Sequence, residues 1–378
     1  MLKKKINIVF ITLFFLIILI PLAFTNYTKG KISVYENRVL APFPALFVDH
    51  KWNKNVLSDL DKWINDNVGF RSDFIAANAK VQYELFNKLQ KNGDYILGPN
   101  GEFDFAPSYI IKDILRENMK SENTLKRMAK GFQVAKDFLA KKNIQMIYFQ
   151  CTDKHTIYPE YYPDRLINQS KGKVSKTDTI IESLKKYTDI DFIYPKNELI
   201  EAKNNYDTYS KFGDSTHWTQ RGAFIGYQLL MDKVNALNSN NYKVLKESDY
   251  NITLKDMGLT LFGGIHRICM LENFDIKNPQ AKITNDKLTL FAEDKSNSFR
   301  TNESVNNKTR VLILGDSYFN SFIVDDIAES FYETILIWGD YSQHFKTIIE
   351  TYKPNIVIIE NAERCDRTDA LANAALAM

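Results

Sequence analysis

The chain has 378 residues, 44% hydrophobic and 25% charged, the composition of a globular protein with enough apolar surface for one large domain or one domain with additions. Its 49 basic and 46 acidic residues are interspersed and leave a net charge of +3, so no electrostatic footprint for nucleic acid stands out. The 20 Tyr, 25 Phe and 4 Trp suit a carbohydrate-contacting surface and ordinary core packing equally.

The chain opens with MLKKK, then 19 residues without a charge (6–24), then polar TNYTKG. Basic residues before such a run hold that end in the cytoplasm, so residues 1–25 read as a membrane anchor or signal, with all that follows exported. No A-x-A site follows, which favours an uncleaved anchor. The three cysteines, Cys151, Cys269 and Cys365, form no C-x-x-C pair, so a structural zinc site is disfavoured; export permits one disulfide, and packing is the expected role of all three. ISVYENRVLAPFPALF, with two prolines and no helical period, reads as an extended arm. Residues 53–92 carry apolar positions at three-to-four spacing interrupted near Asn67-Val68-Gly69, which predicts two amphipathic helices. DYILGPNGEFDF follows as a hairpin turning at Pro-Asn-Gly. Residues 26–110 are thus an N-terminal arm and helices packing on the domain that follows.

From about residue 122 helices and strands alternate. The strands are IQMIYFQ, DFIYP, RVLILGD, TILIWGD and NIVIIE; amphipathic runs such as NTLKRMAKGFQVAKDFLAKKN, KTDTIIESLKKYT and QRGAFIGYQLLMDKVNAL separate them. Short apolar strands alternating with helices predict a parallel sheet covered on both faces. Residues 111–378 therefore read as a flavodoxin-like, three-layer α/β/α domain with about five parallel strands. Polar, Asn/Lys-rich sequence at 240–309 is an insertion with short strands.

Two motifs carry chemistry. GDSTHW (213–218) sets Asp214 three residues before His217, and VLILGDSYFNSF (311–322) sets Ser317 at the end of an apolar strand. Ligands of open parallel sheets collect at the carboxyl ends of the strands, a place that suits Ser317 as a nucleophile. The next helix would offer N–H groups to an oxyanion, and Gly315 would permit a tight turn. A serine hydroxyl needs a base. Of His50, His155, His217, His266 and His344, only His217 has an acidic residue three positions before it in a short glycine-containing loop, and Asp214 is placed to fix its tautomer. Each motif alone also reads as helix capping, by Asp316 or Ser317 and by Ser215 or Thr216. Their joint occurrence in one α/β domain favours a single site. Asp153, Lys154 and His155 follow a strand at the same sheet edge, Tyr318 and Asn320 flank Ser317, and Asn361 and Arg364 end the last strand. These are candidate substrate contacts; a solvated loop, a packed ring, or an ion pair of Arg364 with Glu360 or Glu363 is the competing reading. Neither a metal site nor a cofactor has support.

GDS at a strand end together with DxxH resembles the SGNH (GDSL-like) hydrolase superfamily. The order Asp-His before Ser, and the Trp after the His, resemble its alginate O-acetyltransferase type (AlgJ/AlgX and the DHHW group). ENRVLAPFP (36–44), DKWINDNVGFRSDFI (61–75), DYILGPNGEFDF, TDKHTIYPEYYP (152–163) and KPNIVIIENAER extend the likeness over nearly the whole chain. The resemblance implies an SGNH-like catalytic domain with Ser317 as nucleophile, His217 as base and Asp214 as its orienting carboxylate. It departs at Ser215, where the alginate type has its Asp. It further implies an exported O-acetyltransferase acting on a cell-surface or secreted polysaccharide through an acyl-serine, at the outer face of the cytoplasmic membrane or in the periplasm. A membrane-bound O-acyltransferase would supply the acetyl group. An acetyl esterase would use the same triad with water as acceptor; a non-catalytic glycan-binding component of an export complex would not need the triad.

Overall fold

The structure is a computed structural model and describes every residue except 1, 28–31, 34–37, 49, 87–94, 214–215, 239–240, 262–264, 340–341, 366 and 378. The chain divides into two compact units, Met1–Gly93 with Thr260–His266, and Asp94–Leu259 with Arg267–Met378.

In the first unit, helix α1 (Leu2–Ala23) exposes its apolar side chains from Ile8 to Ile20. Among the described residues no helix is long and apolar enough to cross a membrane. The interrupted amphipathic pattern becomes α2 (Val56–Asn67) and α3 (Arg71–Phe86). Their corner holds the end of α1: the Gly69 N–H donates to Pro21 O at 2.9 Å and the Asn26 N–H to Asn67 O at 2.8 Å. A Cβ on Gly69 would lie 2.6 Å from both Pro21 O and Phe24 Cβ, so only glycine fits there.

The second unit is built on a seven-stranded sheet. Its strands are β1 (Gln145–Cys151), β2 (Asp191–Ile193), β3 (Lys282–Ile283), β4 (Ser298–Thr301), β5 (Arg310–Gly315), β6 (Glu333–Trp338) and β7 (Ile356–Ala362), in the order β3-β4-β6-β5-β7-β1-β2. The five apolar runs read from the sequence form its parallel part, β6-β5-β7-β1-β2. β3 and β4, from the insertion, add two antiparallel strands that the sequence reading did not place in the sheet. The fold is thus α/β with a mostly parallel central sheet.

Strand alternation sorts the core into two layers. Ile147, Phe149, Ile313, Leu336 and Ile358 face α6 (Gln220–Asn238), whose Ala223, Tyr227, Leu230, Met231 and Val234 recur at helical spacing. Met146, Tyr148, Leu312, Leu314, Ile335 and Val357 face α4 (Glu122–Ala140), α5 (Lys176–Tyr187), α8 (Phe345–Tyr352) and α9 (Thr368–Leu376). Within the insertion, Tyr250–Asp256 and Met270–Ile276 pair as a hairpin, held to α6 by Arg221, which donates to Glu272 at 2.6 and 2.8 Å. Cys151, Cys269 and Cys365 are all free thiols. The chain leaves β5 for β6 on one side and returns to β7 on the other, so the carboxyl end of β5 is the topological switch point, where an open α/β sheet leaves a crevice.

Candidate active site

Ser317 occupies that switch point as the first residue of a one-turn helix, α7 (Ser317–Asn320), whose cap is Asp316: the Tyr318 N–H donates to Asp316 Oδ1 at 3.0 Å. Gly315 owes its place to space and not to backbone twist. A Cβ there would sit 2.7 Å from Glu360 Oε2 and 3.2 Å from Glu360 Cβ on neighbouring β7. Glu360 is fully buried and its Oε2 accepts the Asp316 N–H at 2.7 Å. Burial, reinforced by Asp316, pushes the Glu360 carboxyl well above the usual range, and burial likewise pushes up the Cys151 thiol beside it.

His217 arrives from the loop before α6. Thr219 caps that helix through Oγ1, which accepts the Gly222 N–H at 3.1 Å. Trp218 is buried edge-on to Tyr318 (ring centroids 5.1 Å) and Phe149 (6.2 Å), and a Cβ on Gly226 would touch its ring at 2.9 Å. With Trp218 wedged into the core, its half-buried neighbour His217 turns to the sheet edge. There His217 Nε2 lies 2.6 Å from Ser317 Oγ, and Nδ1 lies 3.0 Å from Thr216 Oγ1. Asp214 and Ser215 lie outside the described residues.

A polar brace fixes this loop. Thr216 O accepts from Tyr318 OH at 2.8 Å and from Arg364 Nη1 at 2.8 Å. Asp153 Oδ1 accepts from Arg364 Nη1 at 2.5 Å and lies 2.7 Å from Tyr318 OH, whose one proton it shares with Thr216 O. Asp153 is positioned by its own N–H, which donates to Glu363 Oε2 at 2.9 Å. Arg364 therefore pairs with Asp153 rather than with Glu360 or Glu363. Burial opposes its charge, but Asp153, Tyr318, Cys365 and Asp316 together more than offset this and hold the guanidinium protonated.

The other candidates lie deeper. Tyr318 is fully buried, and burial pushes its hydroxyl well up; its contacts are the brace just described. Lys154 is 1% exposed, with Nζ 3.7 Å from Asp104 Oδ1. His155 is buried, its Nε2 has no hydrogen-bond partner among the described residues, and burial lowers its pKa, favouring the neutral ring. Asp153, Lys154, His155, Thr216 and Arg364 line a cavity of about 10 Å³, room for a single water. Asn320 is half-buried on the last residue of α7, and buried Asn361 donates to Gln150 Oε1 at 3.2 Å. A second cavity of about 460 Å³ beside edge strand β2, lined by Phe192, Tyr194, Leu229 and Lys233, holds none of these residues.

No protein-family model matches the chain, and no curated protein matches it. Solved structures do. Bacillus cereus PatB1 aligns over 73% of this chain and 97% of its own, with a TM-score of 0.53 and 18% identity. The two share a fold. Also similar are a DHHW family protein from Eubacterium siraeum (14% identity, 65% of this chain and 88% of the other, TM-score 0.45) and the O-acetyltransferase domain of Pseudomonas putida AlgJ (14%, 73% and 92%, TM-score 0.46). These neighbours include the proteins whose motifs the sequence resembles.

Proposed function

We propose that the protein is an O-acetyltransferase that moves acetyl groups onto hydroxyls of a cell-surface or secreted polysaccharide through an acetyl-Ser317 intermediate. The observation that carries this reading is the 2.6 Å approach of His217 Nε2 to Ser317 Oγ at the switch point of the sheet. His217 takes the Ser317 proton as Oγ attacks the donor's carbonyl carbon, then returns it to the leaving oxygen. In the second half a sugar hydroxyl gives its proton to His217 and takes the acetyl group, and His217 passes that proton to Ser317 Oγ as the Oγ–acyl bond breaks. The motif resemblance gives Asp214 the role of orienting the imidazole, whose Nδ1 lies 3.0 Å from Thr216 Oγ1. The motif resemblance supports an acetyl group as cargo and a glycan as acceptor, with a membrane-bound O-acyltransferase delivering acetyl. The lysine-led apolar segment supports anchoring of an extracytoplasmic enzyme through α1.

The test is mass spectrometry of an acceptor oligosaccharide incubated with the full-length protein and a small acetyl ester. Acetyl gained by the sugar supports transfer. Release of free acetate with no sugar product would make the protein an esterase.

A further inference from the structure

Arg364 turns its two terminal nitrogens to different tasks. Nη1, with two N–H groups, is ringed by three oxygens, Asp153 Oδ1, Thr216 O and Tyr318 OH, at 2.5, 2.8 and 3.0 Å. Nη2 lies 3.3 Å from His217 Nε2, the same atom that meets Ser317 Oγ at 2.6 Å. A guanidinium can only donate, so the Nε2 lone pair receives both the serine O–H and the arginine N–H. A cation aimed at the lone pair of a general base is a costly arrangement for a strut, since the Nη1 bonds alone would brace the loop.

We propose, on the reading that Ser317 carries the acyl group, that Arg364 is a catalytic residue whose Nη2 passes from His217 to the substrate's carbonyl oxygen as that oxygen becomes negative. The hand-over follows from where the protons go. Oγ bonds to the carbonyl carbon, the C=O π pair moves onto oxygen, and the Oγ proton passes to Nε2. Nε2 now has no lone pair, so the Arg364 N–H loses its acceptor at the step that creates an oxyanion beside it. When the oxygen pair re-forms C=O, the bond to the leaving oxygen breaks and that oxygen takes the Nε2 proton. Nε2 then accepts from Arg364 again, and the same exchange serves attack by the sugar hydroxyl. The Nη1 bonds keep the planar group in register throughout, which a flexible ammonium could not match. The proton transfer is itself the switch, and the donor is charged and largely desolvated before it is needed.

The test is steady-state turnover of a small acetyl ester by full-length variants. Arg364→Ala is expected to lower kcat by about 100- to 1,000-fold with KM little changed, the cost of one oxyanion donor. Arg364→Lys should keep more activity than Arg364→Ala, and added guanidinium ion should restore Arg364→Ala saturably. Wild-type kcat in a folded Arg364→Ala protein would overturn the proposal. So would a loss that guanidinium does not restore and that follows the fall in melting temperature, since that is the behaviour of a loop brace alone. Ser317→Ala assayed alongside separates the two claims: if it is inactive while Arg364→Ala is active, only the arginine's role fails. If Ser317→Ala itself turns over normally, the nucleophile on which the role rests is wrong.

Discussion

Replacing Gly315 by alanine tests how the nucleophile is held. The new methyl would lie 2.7 Å from Glu360 Oε2 and 3.2 Å from Glu360 Cβ. The carboxyl could swing, but Cβ belongs to strand β7 and cannot move without the sheet, and Glu360 has no exposed surface to retreat to. Two costs follow. The Asp316 N–H loses its 2.7 Å bond to Oε2, and a buried unpaired donor costs about 1–3 kcal/mol. Overpacking a filled interior costs about 1–3 kcal/mol more. The sum of about 2–6 kcal/mol should appear as a fall in denaturant midpoint at unchanged m-value. Activity should fall further than stability, since a shift of about 1 Å in Asp316-Ser317 costs about 100-fold in rate. The decisive control is Glu360→Ala, which removes the clashing carboxylate and should cut the cost of Gly315→Ala to well under half, a non-additivity expected only for groups in contact. Equal cost in both backgrounds would refute the steric account of this glycine.

Four further outcomes are expected. Burial, opposed by the Tyr250 hydroxyl but aided by Asp325 and Glu329, pushes the Asp326 carboxyl up to about 7. Because the folded value is the raised one, its contribution is full below about pH 4 and is lost as pH rises through 7, by up to about 4 kcal/mol. Asp326→Asn keeps an acceptor for Tyr250 OH, now at 2.8 Å, so its melting temperature should gain on wild type between pH 5 and pH 7 and level off above that; parallel curves from pH 5 to pH 7 would contradict this. Trp218→Ala should cost about 3–5 kcal/mol by urea titration and also lower turnover, because the ring that aims His217 is gone. Asp214→Ala should reduce ester turnover less than His217→Ala does, since the imidazole can still accept a proton from an imperfect orientation. Protease added to intact cells should reach the second unit, with the protein in the membrane fraction; a protected, cytoplasmic enzyme would overturn the anchored, exported reading.

The five parallel strands were legible because each is buried on both faces and so reads as an unbroken apolar run. β4 was not, because Ser298-Phe299-Arg300-Thr301 is polar in sequence yet buried, with Arg300 satisfied by Asp325 at 2.5 Å. The meeting of Ser317 with His217 was foreseeable from two loops at one sheet edge. The partners around them were not, since whether Arg364 chooses Asp153, Glu360 or Glu363 depends on which strand lies alongside. Gly315 stood out in the motif, but the reason is the close approach of Glu360, which only strand register fixes. Gly131, anomalous inside α4, is the same kind of case: a Cβ there would meet Ala372 of α9 at 2.5 Å, so this glycine is what lets the two helices pack. Lys154, His155 and Tyr318 drew notice as polar residues at the right edge, and pattern alone gave no sign that all three are buried beneath it.

Whether Ser317 carries the acyl group is decided most directly by peptide mass spectrometry of full-length protein quenched during turnover of a chromogenic acetyl ester. One acetyl group on the peptide that spans Ser317, fragmenting to that residue, is the expected result. It should disappear in Ser317→Ala and form far more slowly in His217→Ala. Continued ester turnover by folded Ser317→Ala, or acetyl found only on other side chains, would contradict the account.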